Sequence, residues 1–160
     1  MAALQFVGWM LLGFWGLEVV SYALHRWLFH GLLWRVHRTH HVARHGPFEL
    51  NDLFSVFFAL ASIGLLIAGL HDPLRSPAFG IGAGFTVYGL LYFMIHDLFT
   101  HRRYLPFDSR SPVLRLLKRA HLRHHHSAEK LGQEPFGLFL FNPKILGNRT
   151  SKAVEESRPR

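Results

Sequence analysis

Residues 78–101 read AFGIGAGFTVYGLLYFMIHDLFTH, and this stretch decides the fold. Residues 78–95 carry no charge and are long enough to cross a hydrocarbon layer of ~30 Å as one helix. The run ends on His96, Asp97 and His101, so an apolar span carries ionisable side chains to its own edge. Outward from it lie two runs of the same kind, residues 3–24 with the single acid Glu18 and residues 53–70 with no charge. Hydrophobic residues make up 49% of the 160-residue chain, with 15 Phe and 4 Trp. A domain of this size has little protein with which to bury three helices that are apolar all round. The expected fold is therefore all-α, an integral membrane helical bundle with three main spans and a His-rich helical cap. Residues 1–148 are expected to form one membrane-embedded domain, and 149–160 a disordered polar tail.

The first run lacks a basic leader and a small-residue cleavage site, so it reads as a retained span. Orientation follows from charge. Of 18 basic residues only Arg75 lies in the 71–77 loop, and three spans put the other 17 on one face. Basic residues accumulate on the cytoplasmic side, so the N-terminus is expected outside, with the long loop and the tail in the cytoplasm of a bacterial inner membrane. The net charge of +8 is then a property of one membrane face, suited to anionic lipids. No base-stacking module accompanies it, which argues against a nucleic-acid partner.

Ten of the thirteen histidines fall in four clusters: His25 and His30; His37, His40 and His41; His96 and His101; His121, His124 and His125. Imidazole is the commonest neutral ligand for iron, copper and zinc, and ten of them suit two ions better than one. With no cysteine, the chain offers neither thiolate ligands nor disulfides. The topology brings all four clusters to one face. His37, His40 and His41 sit at i, i+3 and i+4, as do His121, His124 and His125, so each set shares one helical face. Residues five apart, as in the other two clusters, lie about 140° apart on an α-helix. Such pairs need a helix end, a π-turn or two different metals, and division between two metals is the expectation adopted.

Ser111 and Pro112 open an interfacial helix over 112–127 on which Val113, Leu116, Leu117 and Ala120 form an apolar stripe. His121, His124 and His125 continue the stripe; Arg115, Lys118, Arg119 and Arg123 face headgroups or cytoplasm, where they could also dock an acidic electron donor. Glu18, seven residues before His25, is expected to ligate, to orient a ligand histidine, or to be protonated and bonded to a neighbouring helix. Asp52 and Asp97 are expected to bond ligand imidazoles, with helix capping by Asn51 or Asp52 as the plainer reading. Gly80, Gly82, Gly84 and Gly89 are expected to permit close helix packing. His71 falls on the opposite face, and His45 and His126 are expected at the surface or behind the ligands.

The segments HRWLFH (25–30), HRTHH (37–41), HDLFTH (96–101) and HLRHH (121–125) resemble the His boxes of the membrane fatty acid hydroxylase and sterol desaturase superfamily. The flanks FELNDLFSVFFA (48–59), YGLLYFMIHDLFTHRRY (88–104) and AHLRHHHSAEKLGQEPFGLFLF (120–141) resemble the bacterial carotenoid 3-hydroxylases, or β-carotene hydroxylases. The resemblance spans roughly residues 15–145. It implies a non-haem di-iron mono-oxygenase that uses O2 to hydroxylate the β-ionone ring of carotenoids, with β-carotene passing to cryptoxanthin and zeaxanthin. The ten histidines are then iron ligands, and ferredoxin with its reductase is the implied electron donor. Spacing alone leaves iron and zinc open. Competing readings are a ketolase, desaturase or hydroxylase acting on a sterol or fatty acyl chain, a zinc hydrolase, or a membrane metal transporter or sensor.

Overall fold

The computed structural model describes residues 1–42, 46, 48–127 and 129–146. His45 and the tail 149–160 lie outside the described residues. The described residues form helices and no strand. Helix α1 (Ala2–Ala23) continues as a π-helix (Leu24–Leu32), α2 (Trp34–His41) follows, and α3 is Asp52–Gly69. Helix α4 (Pro77–Tyr92) also continues as a π-helix (Phe93–Thr100); α5 is Pro112–His125, before a short 3₁₀ turn at Pro143–Leu146.

Three helical stretches, Ala2–Leu32, Asp52–Gly69 and Pro77–Thr100, are long and apolar enough to cross a membrane. At 1.5 Å per residue the shortest, with 18 residues, is about 27 Å long. Their outer faces carry exposed Leu4, Leu11, Val19, Phe57, Leu60 and Ile67, which only a lipid solvent makes inexpensive.

Helix α4 is the common partner of α1 and α3. Small residues set these contacts, because two backbones approach closely only where no side chain intervenes. A methyl group added at Gly84 would land on the α1 backbone at Met10, one at Gly13 on the α4 backbone at Ile81, and one at Gly82 on Leu65 of α3. Gly80 faces Trp9 in the same way. Gly89 departs from the expectation, since a methyl there would meet nothing within 4 Å. On the α3 side, Ser62 Oγ donates to the Gly82 carbonyl at 3.0 Å and lies 2.8 Å from Thr86 Oγ1.

Ser76 and Ser111 each accept a bond from the backbone three residues on, Phe79 N–H and Leu114 N–H, ahead of Pro77 and Pro112. Helix α5 lies beneath the spans with Leu117, Ala120, His121 and His124 buried. Leu117 meets Ile95 and Leu138, with Leu114 packed beside them. Val113, expected in the apolar stripe, is 61% exposed; Leu114 takes its place because the buried face is rotated by one residue. His71 lies exposed in the α3–α4 loop, and His126 is exposed just after α5.

Candidate metal centre

The backbone resolves the pairs spaced five apart. In a π-helix each N–H bonds the carbonyl five residues back, as from His101 to His96 and from Leu33 to Leu28, both at 2.9 Å. Residues five apart then stack on one face. His25 and His30 therefore join the same group, as do His96 and His101, and the expected division of each pair between two metals is corrected. The groups that result are His25, His30, His37, His41 and His124, and His40, His96, His101 and His121. Within each group the available ligand atoms lie within 4.8 Å of one another. The helices α2 and α5, with their i, i+3, i+4 spacing, straddle both groups: His37 and His41 turn to one and His40 to the other, His124 to one and His121 to the other. His125 stands between them, its ring centroid 4.4 Å from His41 and 4.6 Å from both His40 and His101.

The opposite ring nitrogens fix the tautomers. His25 Nδ1 donates to the Phe136 carbonyl (2.7 Å), His30 Nδ1 to Lys130 (3.0 Å), His41 Nδ1 to Ser127 (3.1 Å) and His124 Nδ1 to Gln133 (2.5 Å). His37 Nδ1 donates to Asn51 Oδ1 (2.7 Å), His40 Nδ1 to Glu49 Oε2 (2.9 Å) and His96 Nδ1 to Asp97 Oδ1 (3.3 Å). These oxygens only accept, so each Nδ1 carries the proton and each neutral ring presents an Nε2 lone pair. Yet those Nε2 atoms face each other, at 2.9 Å for His25 and His37, 3.2 Å for His30 and His124, and 3.0 Å for His40 and His96. Two lone pairs repel at such distances unless a cation lies among them. The donor set thus fits a borderline metal ion in each group.

Outside the spans the imidazoles are held neutral. Burial first, and neighbouring imidazoles after it, push His37 down to about 2, His124 to about 3 and His41 to about 4. The same causes hold His40, His121 and His125 well below their ordinary value. Neutral imidazole is the ligating form. The buried Nε2 of His125 has no hydrogen-bond partner among the described residues.

Three supporting acids were expected from sequence, and they divide. Asp97 bonds His96 as expected. Asp52 instead takes both arms of Arg103, through Nη1 at 2.8 Å and Nη2 at 2.6 Å, and also accepts from the Glu49 backbone. Arg103 Nη1 reaches Asp97 at 3.0 Å as well, so this arginine ties the head of α3 to the carboxylate behind His96. Its place inside is set by a turn in which Arg102 (φ 52°) and Tyr104 (φ 50°) both take the left-handed backbone that ordinary residues avoid. Burial opposes the charge of Arg103, and the bond to Asp52 with the nearness of Asp97 and Glu49 more than offsets it. Of the three roles open to Glu18, the bond to a neighbouring helix is the one the geometry shows: fully buried, it accepts from Tyr88 Oη of α4 (2.7 Å) and from the backbone N–H groups of Phe139 and Leu140 (both 2.8 Å). It anchors the segment whose Phe136 carbonyl holds His25.

Sequence reasoning missed Glu49 behind His40, gave Asn51 only a capping role, and overlooked Arg103. It also missed the 127–136 segment, whose four carbonyls orient four histidines of one group. Its signals in the sequence are Gly132 and, just beyond it, Gly137. Gly132 has φ +63° and lies so close to the His30 ring that a methyl group would sit 2.8 Å from it. Arg26 and Tyr22 Oη pin this segment from outside by donating to Glu134 Oε1, at 2.5 and 2.6 Å.

A cavity of about 300 Å³ runs from His25, His37, His40, His96 and His121 down between the spans to Ser62 and Thr86. Five phenylalanines, three leucines and two tyrosines line it beside the histidines.

The fatty acid hydroxylase family profile matches residues 10–145. The chain is 43% identical over 136 residues to the β-carotene hydroxylase of Pantoea ananas, covering 81% of this chain and 73% of that protein. It is 42% identical over 147 residues to the β-carotene hydroxylase of Pseudescherichia vulneris, covering 89% of this chain and 80% of that one. Against β-carotene 3-hydroxylase 1 of Arabidopsis thaliana, a chloroplastic protein, it is 42% identical over 135 residues, 82% of this chain but 42% of the relative. The chain thus spans less than half the length of its plant relatives. No solved structure matches it. With the profile match covering most of the described residues and relatives at this identity, the chain belongs to the fatty acid hydroxylase family.

Proposed function

We propose that the chain is a non-haem di-iron mono-oxygenase that hydroxylates the β-ionone ring of carotenoids, converting β-carotene to cryptoxanthin and zeaxanthin. The observation that carries this reading is two converged groups of neutral imidazoles, their lone pairs aimed inward, opening onto an apolar cavity that descends into the spans. The names of the bacterial relatives supply the substrate class. His25, His30, His37, His41 and His124 hold one iron in this proposal; His40, His96, His101 and His121 hold the other, with His125 as its fifth ligand.

When bound, the two irons supply O2 activation and removal of hydrogen from an unactivated ring carbon. One C–H bond and O2, with two electrons and two protons, give one C–OH and water. The chain's own residues position the parts. Seven Nδ1–H bonds keep the imidazoles in the ligating tautomer, and Phe29, Phe54, Phe58 and Phe136 wall the cavity against water. Electrons come from an external donor, ferredoxin with its reductase. The spans sit in a bacterial inner membrane with the histidines on the cytoplasmic side, a reading supported by the basic residues clustered at the histidine end.

Expression in a carotene-accumulating bacterium, with pigment analysis beside a His121→Ala control, tests the proposal. Cryptoxanthin and zeaxanthin are expected from the parent and at least a tenfold loss from the variant. Unchanged carotene overturns the carotenoid reading, keto or desaturated products assign another oxidation to the site, and an undiminished variant removes His121 from the ligands.

A further inference from the structure

The cavity does more than sit beneath the histidines; it crosses the seam between α3 and α4. On α3 the ridge facing α4 is marked by Ser62, bonded to the Gly82 carbonyl of that helix. At 100° per residue, the lining residues Phe54 and Phe58 lie about 40–80° to one side of Ser62, and Ala59 and Ile63 about 60–100° to the other. A cavity touching both flanks of a packing ridge passes through the seam. Leu90 repeats the pattern on α4, because it lines the cavity from the side of the α3-facing ridge away from Phe85 and Tyr92.

The place of passage is fixed by register. The Ser62–Thr86 contact pairs the antiparallel helices and, three residues closer to the histidines, sets Ala59 across from Gly89. Below this level the helices are in contact, with Gly82 against Leu65 and Gly69 against Phe79. At Gly89 a methyl group would find open space, so no side chain of α3 fills the seam there. Exposure agrees: the exposed lining residues are Ser55, Ala59, Ile63, Gly89 and Leu90, all on these two helices. Across the cavity, the gap between α1 and α3 is bridged by Phe29 and Phe54, their rings stacked at 3.7 Å. Gly89 lies seven residues before His96, about 10 Å from it along the axis.

We propose that the slit flanked by Ala59 and Gly89 is the lateral doorway through which one cyclic end of a carotenoid passes from the bilayer to the histidines. This rests on the hydroxylase reading above and adds where the substrate enters. The Ser62–Thr86 contact forms its sill. The absence of a side chain at Gly89 serves passage rather than packing, unlike Gly80, Gly82 and Gly84. A cavity of about 300 Å³ suits one ring with the start of its chain; the remainder of the molecule stays among lipid tails beyond the slit.

The native chain contains no cysteine, which makes a reversible closure clean. The double variant Ala59→Cys/Gly89→Cys is loaded with iron in lipid nanodiscs and bridged by a short bis-thiosulfonate, with mass spectrometry confirming the bridge. Retention of β-carotene by absorbance, formation of hydroxylated pigment and iron content are read before bridging, after it, and after reduction. At least a tenfold loss of retention and product is expected on bridging, with iron unchanged and recovery on reduction. Ile67→Cys, on the lipid face of α3 below the sill, is expected to be indifferent to the same reagent. Gly89→Trp offers a reagent-free block. Retention and product that survive both the bridge and the tryptophan overturn the doorway while leaving the hydroxylase reading in place. Neither retention nor product in the unbridged protein and the parent overturns that reading and the doorway with it.

Discussion

Replacing Arg103 with methionine tests whether the link from α3 to the carboxylate behind His96 matters. Arg103 is 2% exposed and bonds Asp97, itself 9% exposed, and Asp52, 25% exposed. Removing one partner of a buried ion pair leaves an uncompensated charge and costs about 3–5 kcal/mol. Asp52 reaches solvent and recovers part of its hydration, so the lower figure, about 3 kcal/mol, applies here. For a chain of this size each kcal/mol moves the midpoint by about 2–4 °C, which gives a fall of about 6–12 °C. Asp97 would also lose the contact that aims it at His96, and such supporting bonds are worth about 10–100-fold in metal affinity. The assay is thermal unfolding in detergent together with iron content after dialysis. Arg103→Lys is expected to recover only part of both, because a single ammonium cannot take Asp52 with two arms while holding Asp97. An Arg103→Met protein that melts within 2 °C of the parent and retains as much metal as the parent refutes the reasoning.

Other consequences are open to measurement. Gly84→Leu is expected to abolish folded protein in size-exclusion runs, since its side chain would enter the α1 backbone, whereas Gly89→Ala is expected to elute and melt like the parent. In iron-free protein, the depressed values of His37, His41 and His124 mean that the folded state binds fewer protons than the unfolded one below about 6.5. Stability is then full above that pH and falls on acidification, by about 1.4 kcal/mol per histidine per pH unit until its own value is reached; equal melting at pH 7.5 and 5.5 would contradict it. Chelation is expected to leave the far-ultraviolet helical signal intact, because the imidazoles are held through Nδ1 by the protein, and a large loss of helix would show that metal folds the cap. Glu18→Leu strands the buried Tyr88 hydroxyl, at about 1–3 kcal/mol, and two part-buried backbone donors at less, whereas Glu18→Gln keeps an acceptor and is expected to melt closer to the parent.

The spans, the convergence of ten histidines and the start of α5 at Ser111 and Pro112 were legible in the sequence, because apolar run length and i, i+3, i+4 spacing are local properties. The five-residue pairs were legible as an anomaly but not as its solution. A π-helix is stabilised by tertiary demand rather than local propensity, so the spacing left a helix end, a π-turn and divided ligands open, and the division adopted was not the one the fold took. Glu18 was legible only as a choice of roles, because an acid seven residues from His25 shares its face on an ideal helix; the bond to Tyr88 of α4 was among them, the two backbone N–H groups from residues 139 and 140 were not. Carbonyl partners of histidines are invisible by nature, since every residue has a carbonyl. Glu49 was within reach of inspection, lying nine residues after His40, yet only the fold of the intervening loop says which imidazole it meets.

The straddling of both histidine groups by α2 and α5 has a consequence for how the centre fills. A cation captured by His37, His41 and His124 fixes the same two helices that present His40 and His121 to its neighbour. Part of the ordering cost of the second capture is thereby met by the first, a coupling free energy that is reciprocal between the two sites. If each group holds a metal ion as proposed, metal titration is expected to rise sigmoidally, with singly occupied molecules fewer than two independent sites would give.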